Sequence, residues 1–484
     1  MAYAASCRII GPTIAEPVGL IMGHRFNPAI LREYDIRGIV GTTLFRADAE
    51  ALGRAFAATL AHTGASGRKH RVAVGYDGRL TSPEFEAALV EGLTAGDVDV
   101  VRIGRGPTPM LYFAAATLGV DGGLMVTGSH NPPDHNGFKM VLGGKPFYAE
   151  QIQELGRTAA ALGAPSGPRG RVEDHLVVDD YLARLARDYD EGRPLTVAWD
   201  PGNGATGEIV SRLTERLPGT HHLINAAIDG RFPAHHPDPT VPANLVQLQQ
   251  EVARHGCDLG IAFDGDGDRI GVVDAKGRIL WGDQLMIVLA RDVLKRHPGA
   301  PILADVKASD VLFAEIARAG GKPVMLPTGH SPIKAKLAEL NAPLAGEMSG
   351  HIFFGDRWYG FDDAIYVAVR LLGILGRSDK TLVQITDALP TTFNTPELRL
   401  DCDEARKFTI VAEIAERLRQ RGAEIIDIDG VRVKSPDGWW LVRASNTQAV
   451  IVARAEAATE AGLARLKGEI ARELADSGLA ITLD

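Results

Sequence analysis

Cysteine is scarce: Cys7, Cys257 and Cys402 are the only three in 484 residues. They are widely spaced and odd in number, so they make neither a disulfide framework nor a zinc pattern, and a reducing, cytoplasmic setting is expected. Long apolar runs are missing too. No stretch approaches the ~20 residues that cross a bilayer. In residues 1–21, Gly11, Pro12, Pro17 and Gly19 interrupt anything that could serve as the apolar core of a signal peptide. Residues 1–24 are expected to be a disordered extension, with Met22 as an alternative start. Positive charge is in deficit, with 52 Lys and Arg against 61 Asp and Glu and a net charge of −9. Such a chain is a poor nonspecific partner for nucleic acid or an anionic membrane. Neither is expected as a partner, and an anionic substrate must meet local positive charge. Also absent are the Gly-x-Ser-x-Gly elbow of acyl transfer and the Gly-x-x-x-x-Gly-Lys-Ser/Thr loop that cradles nucleotide phosphates.

What remains is a globular composition, 45% hydrophobic and 23% charged, which excludes disordered, collagen-like and coiled-coil classes. The length suits two to four domains. Apolar strand-like runs alternate with helical spacing. Leu52, Ala55, Phe56 and Leu60 predict a helix over 47–62, and Val72–Asp77 predicts a strand. Thr81-Ser-Pro-Glu84 predicts a helix start with a capping box, and Gly96 its end. The alternation argues for α/β domains. A weak repeat is visible: Val72–Asp77, Leu195–Asp200 and Ile302–Asp305 each read as a strand ending in Asp. Downstream of each, a second apolar run flows into a Gly-rich polar loop, at 124–131, 259–268 and 344–351. Open α/β sheets bind ligands beyond the C-terminal ends of their strands, so the three loops could share one cleft or be three unrelated turns. After Pro390 the texture changes to two strand-like runs and a terminal amphipathic helix, a smaller α+β domain. The expected limits are 25–174, 175–278, 279–390 and 391–484.

Each loop has a chemical reading. In Thr127-Gly-Ser-His-Asn-Pro132 a serine follows glycine at a strand end, as a nucleophile would, or as an N-capping serine in a polar turn. Lys139 could serve a phosphate or move a proton. In Asp264-Gly-Asp-Gly-Asp-Arg269 three carboxylates alternate with glycine, which suits a hard divalent cation better than a solvated acidic turn, whose charges would repel. An EF-hand is excluded because its sixth position is Arg269 and its twelfth Ala275. The loop is expected to be exposed, so that losing one carboxylate would leave the fold intact. Glu347, Ser349 and His351 could grip sugar hydroxyls and move protons. Arg443-Ala-Ser-Asn-Thr447 offers donors suited to a dianion, or a surface hairpin.

With Arg32-Glu-Tyr-Asp-Ile-Arg-Gly38 and Thr328-Gly-His330 added, these loops in this order resemble the α-D-phosphohexomutase family, in particular its bacterial phosphomannomutase/phosphoglucomutase branch. The resemblance implies three similar α/β domains with mixed sheets and a smaller C-terminal domain around a central cleft. It implies that Ser129 carries a phosphoryl group and that Mg²⁺ sits among Ser129, Asp264, Asp266 and Asp268. Arg37, Lys139 and His351 would surround the reacting oxygens, with Lys139 and His351 the candidates for proton transfer. Arg443, Ser445, Asn446 and Thr447 would hold the other phosphate, and Glu347 and Ser349 the sugar hydroxyls. Tyr34, Arg269, Lys307 and His330 would line the cleft, with His130, Asn131, Thr328 and Gly329 also touching substrate. The implied reaction interconverts hexose 1- and 6-phosphates, with a hexose 1,6-bisphosphate as intermediate and activator, in a monomer or weak dimer. A glucosamine-phosphate enzyme is one alternative, although such enzymes carry Gln where this chain has Met348. A Ser129-dependent phosphatase and a sugar-phosphate sensor are others.

Overall fold

The computed structural model describes residues 23–63, 68–189, 192–446 and 448–481. The expected extension over 1–22 lies outside them, but Gly23 and His24 belong to the body, where His24 Nε2 lies 2.6 Å from Asp48. Four sheets follow one another along the chain. The aspartate-ending runs form strands Arg71–Tyr76, Leu195–Asp200 and Pro301–Asp305, each inside its sheet. Asp99–Arg105, Gly219–Leu223 and Lys322–Leu326 pair parallel on one side of them. Gly122–Val126, Leu259–Phe263 and Leu344–Gly346 pair parallel on the other. These last strands turn back into the antiparallel strands His135–Leu142, Ile270–Asp274 and Ile352–Phe354. Counted in chain order, these four strands read 2-1-3-4 in each of the three sheets. The weak sequence repeat is therefore a repeat of topology, and the serine, acidic and glutamate loops all occupy the same joint, between third and fourth strands.

The strand-end aspartates explain themselves. Asp77 accepts a hydrogen bond from Gly128 N at 3.2 Å and Asp305 one from Met348 N at 3.1 Å, so in two domains this carboxylate ties the end of its strand to the neighbouring loop. Asp200 instead holds Gly202, Asn225 and His235. One local expectation is corrected. The helix Ser82–Ala95 has no side-chain cap, because Asn136 Nδ2 takes Thr81 Oγ1 at 3.0 Å and Ser82 Oγ donates to Asp77 at 2.6 Å. The short strand Ile279–Leu280 pairs with Ile270–Asp274 at the edge of the second sheet.

Alternation along the strands sorts the cores. Val72, Val74, Leu124 and Val126 face a core shared with the helices Arg46–Ala61, Ser82–Ala95 and Glu150–Ala161. Their neighbours Ala73 and Met125 face a second core, which also receives Val197, Trp199, Ile261 and Phe263 from the second sheet and Ile302, Ala304, Leu344 and Ile352 from the third. All three sheets thus turn one face to a common interior. Through it runs the helix Ala364–Gly376, apolar but for Arg370, which pairs with Asp356 at 2.8 Å, and almost wholly buried; it is capped where Asp363 accepts from Tyr366 N at 2.9 Å. The fourth domain is a separate antiparallel sheet, built on Val431–Ser435, Gly438–Ala444 and Val450–Ala457. The helices Lys407–Gln420 and Glu460–Ala475 close a core of its own. No helix among the described residues is long and apolar enough to cross a membrane.

Candidate active site

The serine and acidic loops meet face to face. Ser129 has φ +49° and donates from Oγ to Asp264 Oδ2 at 2.9 Å, while its own N–H is held by Thr127 Oγ1 at 2.8 Å. Gly265 makes the approach possible, since a Cβ there would lie 2.4 Å from the Ser129 carbonyl oxygen. Asp264 Oδ1 accepts the N–H groups of Gly267, Asp268 and Arg269, which curls the loop around it. Asp266 Oδ2 accepts from Lys139 Nζ at 2.7 Å, Thr108 Oγ1 at 2.5 Å and Thr127 Oγ1 at 3.2 Å. Lys139 also pairs with Asp268. All three aspartates have zero exposure, so the expectation of an exposed acidic loop is wrong: the first and second domains close over it.

Burying three carboxylates against so few cations leaves a charge imbalance. Burial, with Asp266 and Asp268 beside it, pushes Asp264 well above the usual carboxylate range. Burial by itself would lower Lys139, but Asp266 and Asp268 outweigh it and hold the ammonium well above its ordinary value. Asp266 Oδ1 and Asp268 Oδ1 are buried without a hydrogen-bond partner among the described residues. Ligand oxygens of the three aspartates lie within 4.8 Å of one another. Oxygen-only ligands, bare acceptors and surplus negative charge together fit a hard divalent cation. A buried cluster able to coordinate such an ion is therefore present.

The third domain reaches the same centre. An isolated antiparallel bridge joins Arg269 to His351, and Ile270 N bonds Gly350 O at 3.1 Å. Arg269 Nε donates to His351 Nε2 at 2.9 Å, so that nitrogen accepts and the ring proton sits on Nδ1. Nδ1 lies 3.0 Å from Asp362 Oδ2 and 3.5 Å from Asp268 Oδ1. His330 stacks on His351 with ring centroids 5.3 Å apart. Burial first, then Lys334, keeps His330 well below its usual value, and burial with Arg269 and Arg37 does the same for His130. Glu347 Oε1 accepts from Gly329 N at 2.7 Å, and Ser349 Oγ lies 3.5 Å from Glu347 Oε2. Met348 turns its sulfur to the buried Arg454. Lys307 pairs with Glu397 at 2.9 Å. Arg37 pairs with Asp35 and donates to Asn131 Oδ1 at 2.7 Å.

The fourth domain completes the ring. Asn446 Nδ2 donates to Tyr34 OH at 2.7 Å, and Tyr34 OH donates to the Thr328 carbonyl at 2.9 Å. Ser445 Oγ accepts from Gln448 N. Arg443 Nε donates to Asp429 at 3.0 Å. Thr447 lies outside the described residues.

Comparison with known proteins decides the family. Models of phosphoglucomutase/phosphomannomutase alpha/beta/alpha domains I, II and III match residues 28–164, 179–277 and 281–393, and the model of the C-terminal domain matches 397–473. The chain belongs to the phosphoglucomutase/phosphomannomutase family. It is 44% identical over 455 residues to the phosphomannomutase/phosphoglucomutase of Pseudomonas aeruginosa PAO1, covering 94% of this chain and 97% of that one. It is 42% identical to the phosphoglucomutase of Neisseria gonorrhoeae, over 90% and 95% of the two chains. A crystal structure of a phosphoglucomutase/phosphomannomutase family protein from Burkholderia thailandensis superposes with a TM-score of 0.87 at 43% identity, over 94% and 98%. The protein is accordingly a hexose-phosphate mutase, an enzyme of intramolecular phosphoryl transfer.

Several residues of the mutase site escaped the sequence reading. Asp362, fully buried, pairs with Lys334 at 2.9 Å and stands behind both imidazoles. Thr108 braces Asp266 from the start of the helix Thr108–Thr117. Arg79, 2% exposed, donates to the carbonyls of Ser129, Asn131, Pro132 and His135, so one guanidinium fixes the whole serine loop. A lysine has one donor centre and cannot span four carbonyls. Arg79→Lys is expected to cut kcat about a hundredfold by displacing Ser129. Steady-state kinetics on the folded variant check this; an unchanged kcat would mean that the loop holds itself.

Proposed function

We propose that the enzyme interconverts the 1- and 6-phosphates of mannose and glucose through a phosphoserine at Ser129 and a hexose 1,6-bisphosphate, which also serves as activator. The observation that carries the reading is the buried Ser129 hydroxyl, strained at positive φ and set 2.9 Å from Asp264 among carboxylates with bare oxygens. Phosphoryl transfer needs in-line placement and charge neutralisation more than covalent chemistry. In the forward half, a sugar hydroxyl attacks phosphorus. The Oγ–P bond breaks as the sugar O–P bond forms, the hydroxyl proton passes to a base for which His351 is the candidate, and the departing Ser129 Oγ takes a proton for which Lys139, kept charged by Asp266 and Asp268, is the candidate donor. The two roles reverse in the return half. Arg37 meets the transferring oxygens. Asp264, Asp266, Asp268 and Ser129 would hold Mg²⁺, which when bound neutralises charge on the phosphoryl oxygens.

Arg443, Ser445, Asn446 and Thr447 are assigned to the non-reacting phosphate, and Glu347 and Ser349 to the sugar hydroxyls. Tyr34, His130, Asn131, Arg269, Lys307, Thr328, Gly329 and His330 complete the substrate surface. A cytoplasmic monomer or weak dimer belongs to the same reading. Glucose and mannose phosphates differ only at C2, and Glu347 and Ser349 are assigned to hydroxyls that both sugars share. Specificity is a difference of affinities, so comparable kcat/KM is expected on mannose 1-phosphate and glucose 1-phosphate, within about tenfold or roughly 1.4 kcal/mol. A coupled assay on both sugars and on glucosamine 1-phosphate, primed with bisphosphate, tests this. Preference for glucosamine, or a hundredfold gap between the hexoses, would overturn it.

A further inference from the structure

The peptide Thr328–Gly329 is where three domains meet. Its Thr328 carbonyl accepts from Tyr34 of the first domain at 2.9 Å. Gly329 N donates to Glu347 of its own domain at 2.7 Å, and Thr328 N donates to Asp429 of the fourth domain at 2.9 Å. Gly329 has φ +135°, and a Cβ on it would lie 2.6 Å from the Tyr34 ring, so the junction has no slack. Asp429 does a second thing. The oxygen that takes Thr328 N, Oδ2, also takes Arg443 Nε at 3.0 Å. Arg443 uses only Nε for this; its terminal nitrogens have no partner among the described residues and keep their donors for an anion. Both partners are nearly buried, with side-chain exposures of 6% for Arg443 and 13% for Asp429.

We infer that Asp429 is a positioning residue that fastens the phosphate-holding Arg443 to the sugar-holding segment Thr328–Glu347. One carboxylate oxygen thereby fixes the spacing between the two ends of a bound hexose phosphate. The inference rests on the reading of Arg443 as a phosphate ligand. Inorganic phosphate would engage only the Arg443 end and gain nothing from the fixed spacing, whereas a sugar phosphate engages both. Loss of Asp429 also removes the counter-charge from Arg443, which on its own favours an anion. A support that merely kept Arg443 in place would weaken both ligands alike.

The test measures the inhibition constant of inorganic phosphate and the KM and kcat for glucose 1-phosphate on the full-length enzyme, D429A, D429N and R443A. In D429A, KM is expected to rise at least about tenfold and kcat to fall about tenfold, with phosphate inhibition unchanged within about threefold. D429N, whose carbonyl oxygen can still accept both N–H groups, is expected to return KM to within about threefold of wild type. R443A is expected to weaken both ligands about tenfold or more. A D429A enzyme that loses phosphate and sugar phosphate equally, or neither, overturns the inference, as does a D429N that fails as alanine does. An R443A enzyme unchanged toward both ligands overturns the phosphate reading and the inference with it.

Discussion

Ser129→Ala is expected to lower kcat by at least about a thousandfold, roughly 4 kcal/mol, while glucose 1-phosphate still binds within about threefold of wild type. The substitution removes one atom and little else. The loop is held through its backbone, by Thr127 Oγ1 on Ser129 N and by Arg79 on Ser129 O, and alanine keeps both contacts. The Oγ bond to Asp264 disappears, along with the longer contact to His130 Nδ1. The neighbour that could take over as nucleophile is His130, whose Nδ1 lies 3.5 Å from the Oγ position in the next residue, so the phosphorylation state of the variant must be read along with its turnover. Stopped turnover with intact binding, read by coupled assay and calorimetry, is therefore the signature of a lost carrier. Wild-type protein should gain one phosphoryl group when treated with hexose 1,6-bisphosphate, and the alanine variant none. Turnover within tenfold of wild type, or phosphorylation of the variant elsewhere, would sink the assignment.

Asp266→Ala has a double consequence, because its carboxylate is buried and partnered. Lys139 would be left with Asp268 alone, and the hydroxyls of Thr108 and Thr127 would lose their acceptor. Removing one member of a buried ion pair costs about 3–5 kcal/mol, so a lower denaturation midpoint is expected along with loss of nearly all Mg²⁺-dependent activity. Asp266→Asn separates the two effects. It retains an oxygen for the hydroxyls and should recover part of the stability, yet the lost charge should keep activity at least about a hundredfold down. Chemical denaturation and a magnesium titration of activity check both variants. Unaltered metal affinity in Asp266→Asn would remove Asp266 from the metal site; unaltered stability in Asp266→Ala would mean that the ion pair contributes nothing.

The active-site loops were legible because each concentrates its chemistry in adjacent residues. Asp264, Asp266 and Asp268 alternate with glycine, and Ser129 follows one. The repeat was legible through Asp77, Asp200 and Asp305, since each closes a strand. Residues that serve the site singly were not. Asp362 precedes the apolar helix Ala364–Gly376, where an Asp-Asp pair reads as a helix cap; Asp363 caps, and Asp362 turns to the imidazoles. Lys334 lies within the helix His330–Leu340 with nothing local to distinguish it from a surface lysine. Arg79 sits in a turn and acts on carbonyls more than 50 residues away, as a long-range partner always escapes a local pattern. The burial of the acidic loop was illegible for the same reason: it is made by Thr108, Thr127 and Lys139, supplied by another domain.

The interior shared by the first three sheets makes these domains one unit in energy, although the chain and its topology divide them into three. A helix of the third domain, Ala364–Gly376, passes through that interior and hands its first amide, Ala364 N, to the carbonyl of Gly267 in the second at 3.2 Å. Cohesion and catalysis are therefore coupled through a single buried rod: a void opened around Leu371 or Tyr366 loosens the ground on which the acidic loop stands. Local opening proceeds in cooperative blocks rather than by chain segment, and here the blocks number two. One comprises three repeats that must melt together. The other is the fourth domain, which folds on a core of its own yet is fastened to the third by the buried guanidiniums of Arg432 and Arg454 and by Trp439 and Leu441 packed on Val306.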